Sequence, residues 1–158
     1  MLDKIVTGGQ TGADQAGWRV ARAFGIHTGG WMPKGSLTEE GPRPEFAELY
    51  GAIEMPTDSY PERTIANVRD SDATLWFGTT DSPGAKDTLD ACLHHMRSFH
   101  RMAPGCSPTS AQIALWLTVR GVKVLNIAGN RESVNPGIGQ RVERFLAAVL
   151  RRLGHQRV

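Results

Sequence analysis

Short apolar runs alternate along the chain with longer stretches in which apolar positions recur every three or four residues. Residues 2–7 read as a buried strand and residues 11–24 as a helix that turns Ala16, Val20, Ala23 and Phe24 to one side, with Gly25 as its C-cap. A weaker strand is expected at 26–31. The Gly-, Pro- and charge-rich MPKGSLTEEGPRPEF that follows reads as loop, and residues 50–55 as a third strand. SYPERTIANVRDSD predicts a helix, with Ser59 or Tyr60 near its N-cap and Pro61 at an early position. ATLWFG is the clearest strand of the middle region, and SPGAKDTLDACLHHMRSF is a loop followed by a helix. TSAQIALWLTVRG is a strongly apolar helix closed by Gly121, and VKVLNIAG is the second clear strand. NPGIGQRVERFLAAVLRRLG then places Ile138, Val142, Phe145, Leu146, Val149, Leu150 and Leu153 on one helical face.

Strands alternating with helices over 158 residues predict one α/β domain spanning 1–158: a mostly parallel sheet with helices on both faces. HRMAPGCSPT stands where a further strand is wanted but has little β character.

In such a sheet, ligands bind beyond the carboxyl ends of the strands, and the unusual residues cluster there. The first strand is followed by Gly8-Gly9-Gln10-Thr11-Gly12-Ala13-Asp14 and the second by Gly29-Gly30-Trp31-Met32-Pro33-Lys34-Gly35. The middle strand leads into Gly78-Thr79-Thr80-Asp81-Ser82-Pro83-Gly84-Ala85, and the late one into Gly129-Asn130-Arg131-Glu132-Ser133. Glycines let backbone approach a bound group, and a following helix offers unpaired N–H groups and a positive dipole end. Gln10 and Thr11 add donors, Lys34 a positive charge, and Trp31 a ring for stacking. The implied ligand is anionic and phosphorylated. The spacing is neither that of a P-loop nor Gly-x-Gly-x-x-Gly. A net charge of +2 does not point to nucleic acid, and no apolar stretch is long enough to span a bilayer. Two cysteines, Cys92 and Cys106, make neither a disulfide framework nor a zinc spacing, so the cytoplasm is expected. The histidines His94, His95 and His100 read as ordinary surface or packing residues, and no metal ligands are assigned.

GGQTGADQA, GGWMPKG, EEGPRPEF, YPERTIANVRDSDATL and VLNIAGNRES…PGI, in that order, resemble the molybdenum carrier family. It is the circularly permuted YpsA-like branch of a Rossmann-like superfamily of nucleotide-derivative sensors and Lonely Guy-type enzymes. The resemblance implies a Rossmann-like domain, commonly a homo-oligomer, that binds the molybdenum cofactor (a phosphorylated pterin with an oxo-metal group) or a nucleotide-like ligand. Carried over by position, the ligand-contacting residues are Gly8, Gly9, Gln10, Thr11, Gly12, Trp31, Pro33, Lys34 and Gly35. Arg63, Asn67, Gly84, Gly129, Arg131, Glu132 and Ser133 complete the set. The plainer expectation for Arg63 is a surface pair with Asp70 or Glu62. Asn130 stands where the family has proline, and Ala85 departs from the third loop.

The main alternative is hydrolysis of a nucleotide's N-glycosidic bond, as in Lonely Guy-type phosphoribohydrolases. Arg63 and Asp72-Ala73 match that pattern, as do Pro83, Gly84 and Thr88, but Ala91 stands where the catalytic glutamate belongs. An alanine can neither stabilise developing positive charge nor activate water. Binding without turnover is therefore the preferred reading; Asp87 or Asp90 in a shifted role, and a nucleotide sensor acting on a protein partner, are the alternatives.

Overall fold

A computed structural model describes residues 1–79 and 81–158. The chain runs β1 (Lys4–Thr7), α1 (Ala13–Ala23), β2 (His27–Met32), β3 (Leu37–Thr38), β4 (Gly41–Pro42), α2 (Phe46–Tyr50), β5 (Ala52–Glu54) and α3 (Tyr60–Arg69). It continues through β6 (Ala73–Phe77), α4 (Pro83–His94), β7 (Ser98–Met102), α5 (Ser110–Val119), β8 (Val124–Gly129) and α6 (Ile138–Arg152). Six strands form one sheet in the order β5-β2-β1-β8-β6-β7, every pair parallel, while β3 and β4 make a small antiparallel hairpin. This is the Rossmann-like α/β fold.

Helices α1, α5 and α6 pack together over one core, which buries Ile5, Leu75, Leu125 and Ile127 of the sheet against Val20, Ile113, Leu117, Val142 and Leu146. Helices α3 and α4 pack on each other and share a smaller cluster of Val68, Ala91 and Cys92 with Phe99 of β7. β6 is buried along its whole length, as its continuous apolar run requires of a strand covered on both faces.

Besides the one-turn helix α2, which no pattern announced, two stretches differ from the sequence pattern. The expected helix over the second half of 82–99 ends at His94; Met96 turns the chain with φ 52° and residues 98–102 become the missing strand. Its residues Ser98 to Met102 pair with Ala73 to Phe77 at the sheet edge. An edge strand needs one partner only and tolerates His100 and Arg101, so β propensity gave no signal. The expected loop 32–46 contains the β3–β4 hairpin, each strand only two residues long.

From β1 the chain moves out through β2 and β5, then crosses to β6 and β7 and returns to insert β8 between β1 and β6. The crevice opened by that reversal lies beyond the carboxyl ends of β1, β8 and β6.

Candidate functional site

A cleft of ≈ 520 Å³ occupies this crevice. Gly8, Gln10 and Asp14 after β1, Asn126 and Ala128 to Arg131 along and after β8, and Trp76 of β6 contribute to its walls. Tyr60, Arg63, Thr64 and Asn67 come from α3, and Ser82, Pro83, Gly84, Asp87 and Thr88 from the start of α4. The Ser82 hydroxyl accepts the Ala85 N–H at 3.3 Å and caps α4, whose positive end therefore faces the cleft.

Arg63 is fixed deep in the wall, its side chain only 12% exposed. Its Nη1 donates to Asp14 Oδ2 at 3.2 Å, and its guanidinium lies 5.3 Å from the Tyr60 ring centre. The expected pairs with Asp70 or Glu62 do not form; Asp70 instead binds Arg69 and the Trp31 indole. Arg63 can reach Asp14 because Gly8 has no side chain: a Cβ there would stand 1.5 Å from Nη1. Arg131 approaches the Tyr60 ring as well, at 5.9 Å, so two guanidiniums share one aromatic ring at the mouth.

Asp14 is buried, and its carboxyl is pushed up from 3.8 to about 6. Desolvation is the dominant cause; the Arg63 charge and the N–H groups of Gln10 and Gly8 offset it in part. Gln10 is held by its amide oxygen, which accepts the N–H groups of Thr11 at 3.0 Å and Glu39 at 2.8 Å. Two backbone donors on one oxygen fix the orientation of the amide, so Nε2 is turned the other way. Gln10 Nε2 and Arg63 Nε are buried without a hydrogen-bond partner among the described residues.

The remaining loop residues serve the fold. The carboxylate of Glu39, at the tip of the β3–β4 hairpin, accepts hydrogen bonds from the hydroxyls of Thr11 and Ser133 and from the Ser133 N–H at 3.2 Å. Desolvation opposes its ionised form, but the Ser133 and Thr11 hydrogen bonds outweigh it and hold Glu39 below the usual range. Thr11 Oγ1 also accepts the Glu132 N–H at 3.2 Å, and the Glu132 carboxylate accepts the N–H groups of Gly137 and Gly139 at the start of α6. Gly12 lets the first and last loops touch: at φ 77°, a Cβ would sit 2.5 Å from the Asn130 carbonyl oxygen. The donors of these two loops thus close on a carboxylate of the chain itself.

Of the residues singled out in the sequence, the cleft brings together Gly8, Gln10, Arg63, Asn67, Gly84, Gly129 and Arg131. Gly9, Thr11, Gly12, Trp31, Pro33, Lys34, Gly35, Glu132 and Ser133 lie outside its lining. Trp31 donates its indole N–H to Asp70 at 2.8 Å, and its backbone is clamped by the Asn67 amide at 2.8 and 3.0 Å. Pro33 is buried, Lys34 and Gly35 are exposed, and the Lys34 N–H bonds to Thr57. Ala91 is buried in the α3–α4 cluster, and Asp90 is exposed and paired with Lys86, whereas Asp87 reaches the cleft. Thr80 of the third loop lies outside the described residues.

The sequence reading missed Asp14, Tyr60, Trp76 and Asn130. Asn130 is buried, its Oδ1 accepting the Thr79 N–H at 2.8 Å, so it ties the third loop to the last. A carboxylate opening a helix directly after a glycine loop was the available signal for Asp14; Tyr60 and Trp76 had none beyond their type. No group of three or more His, Cys, Asp or Glu side chains able to hold a metal occurs among the described residues, and no helix there is long and apolar enough to cross a membrane.

Comparison with known proteins adds to this geometry. The model of the Circularly permutated YpsA SLOG family matches residues 5–150. The crystal structure of the "Putative molybdenum carrier protein" from Syntrophus aciditrophicus SB superposes with a TM-score of 0.83 at 34% identity, covering 94% of this chain and 95% of that one. (E)-4-Hydroxy-3-methyl-but-2-enyl diphosphate reductase aligns with 97% of this chain and 59% of its own at 13% identity and a TM-score of 0.37, too loosely to bear on function. No curated protein matches. A family match over nearly the whole length settles the relationship: the chain belongs to the circularly permuted YpsA SLOG family.

Proposed function

We propose that this protein binds and carries a phosphorylated pterin-type ligand, the molybdenum cofactor, in the cleft beyond β1, β8 and β6. The observation that carries the reading is the cleft of ≈ 520 Å³ itself, which brings Arg63 and Arg131 into one lining with the glycine turn after β1 and the N-terminal turn of α4. The volume suits a small heterocyclic ligand. Trp76 and Tyr60 offer ring surface, and the N-terminal turn of α4 suits a phosphate. Support also comes from the name of the relative from Syntrophus aciditrophicus.

The test is native purification without oxygen, followed by mass spectrometry and metal analysis of whatever remains bound. A phosphorylated pterin with stoichiometric molybdenum is the expected result; a purine nucleotide with no metal would refute the carrier reading. Processing of a nucleotide monophosphate is the second reading, favoured by Asp87, which faces the cleft one helical turn before Ala91. It requires release of free base from nucleotide monophosphates, lost in Asp87→Asn and Arg63→Ala alike.

A further inference from the structure

Outside the cleft, one surface sets apolar and acidic groups side by side. A slot of ≈ 230 Å³ between α3 and α4 is lined by Pro61 and Ile65 of the first helix and by Asp87, Asp90, Ala91 and His94 of the second. Spacings of three and four residues put each set on one helical face. Ile65 is left 42% exposed there. Pro61 and Asp87 line the cleft as well, so the slot opens beside its mouth. The fold makes little use of the two carboxylates. Asp87 forms no salt bridge among the described residues. Asp90 pairs with Lys86 at 2.6 Å on the exposed side of α4, a surface contact that a competing cation displaces at little cost.

We propose that this slot seats an arginine side chain of a protein partner docked over the mouth of the cleft. An arginine stem covers apolar surface while its head stays polar, which matches an apolar lining of Pro61, Ile65 and Ala91 under an acidic rim. Two carboxylates three residues apart on one helix suit a planar fork of five N–H donors better than the point charge of a lysine. The same rim repels a phosphate, so the slot is no extension of an anionic ligand's site. The partner's role rests on the carrier reading. A protein that accepts an anionic cargo is basic at its own receiving site, and beside Arg63 and Arg131 the rim of Asp87 and Asp90 is the feature that attracts it.

An acetylated and amidated Gly-Arg-Gly tripeptide is titrated into isotopically labelled protein at low ionic strength while backbone amide shifts are followed. Its citrulline counterpart, which keeps the shape and loses the charge, is titrated in parallel. Expected are saturable shifts at Ile65, Ala91 and His94, with binding about fivefold weaker for the citrulline peptide and about fivefold weaker for the arginine peptide in Asp90→Asn. Ile65→Arg, at an exposed position and with its fold checked by circular dichroism, fills the slot with its own guanidinium and abolishes binding. Absence of saturable binding, equal affinity for the two peptides, or shifts that spare these amides overturns the proposal. Dimerisation of wild type that is lost in Ile65→Arg also overturns it, because the occupant is then a second copy. Loss of bound pterin in Ile65→Arg does the same, because the slot then belongs to the ligand's site. Pterin retained by native protein with no peptide binding removes the slot and leaves the carrier reading standing. Peptide binding as expected, with no pterin recovered, has the opposite meaning.

Discussion

Replacing Asp14 by asparagine tests the electrostatics of the cleft through stability alone. Asp14 is 5% exposed, and its carboxyl titrates at about 6 rather than 3.8, because lost hydration outweighs what Arg63 and two backbone N–H groups return. An acid whose folded pKa lies above its unfolded one binds more protons when folded. Its contribution to stability is therefore complete below pH 3.8 and is lost as pH rises through 6. A difference of about two pH units at about 1.4 kcal/mol each makes the whole swing about 3 kcal/mol, of which about 2 kcal/mol falls between pH 4.5 and 7.5. The asparagine side chain keeps an oxygen for the Gln10 N–H and Arg63 but does not titrate, so the other ionisable groups cancel in the difference between the two proteins. Urea unfolding of both at pH 4.5, 6.0 and 7.5 measures it. Wild type should lose about 2 kcal/mol relative to Asp14→Asn across that range. A constant difference would show that Arg63 cancels desolvation, and wild type gaining on the variant as pH rises would show that Arg63 outweighs it; either result refutes the reasoning.

Gly8→Ala places a Cβ on Arg63 Nη1, and the flexible arginine gives way, so the protein should fold with a cost of about 1–3 kcal/mol as Asp14 loses its partner; undiminished stability in urea unfolding would show that the contact is dispensable. Trp31→Phe removes the hydrogen bond to Asp70 and should cost about 1 kcal/mol while leaving ligand retention unchanged, since Trp31 lies off the cleft; a large loss of bound ligand in native mass spectrometry would contradict that placement. Glu39→Gln weakens the clamp on Thr11 and Ser133 by about 1 kcal/mol, read as faster amide hydrogen exchange in the β3–β4 hairpin than in β1. Equal exchange in wild type and variant would mean that the carboxylate does not hold the hairpin.

What the sequence determined by itself was local. The apolar run of β6, the amphipathic face of α6 and the glycine loops between strands and helices carry their periods and breaks in neighbouring residues, so the alternation of elements and the parallel Rossmann-like sheet could be read directly. Gln10, Arg63 and Arg131 were legible as candidates because family motifs mark them. Which loop donors stay open was decided only by tertiary structure. Thr11 and Ser133 look available for a ligand in sequence, but Glu39, at the tip of a hairpin whose strands are too short to leave a period, reaches them both. Asp14 and Arg63 are 49 residues apart, and they meet only because α3 folds back over the end of β1 and Gly8 leaves room for the guanidinium. A hydrogen-bond acceptor brought in from elsewhere in the chain leaves no trace in the spacing of the donors it satisfies, and for that reason the clamp and the buried carboxyl belong to the structure.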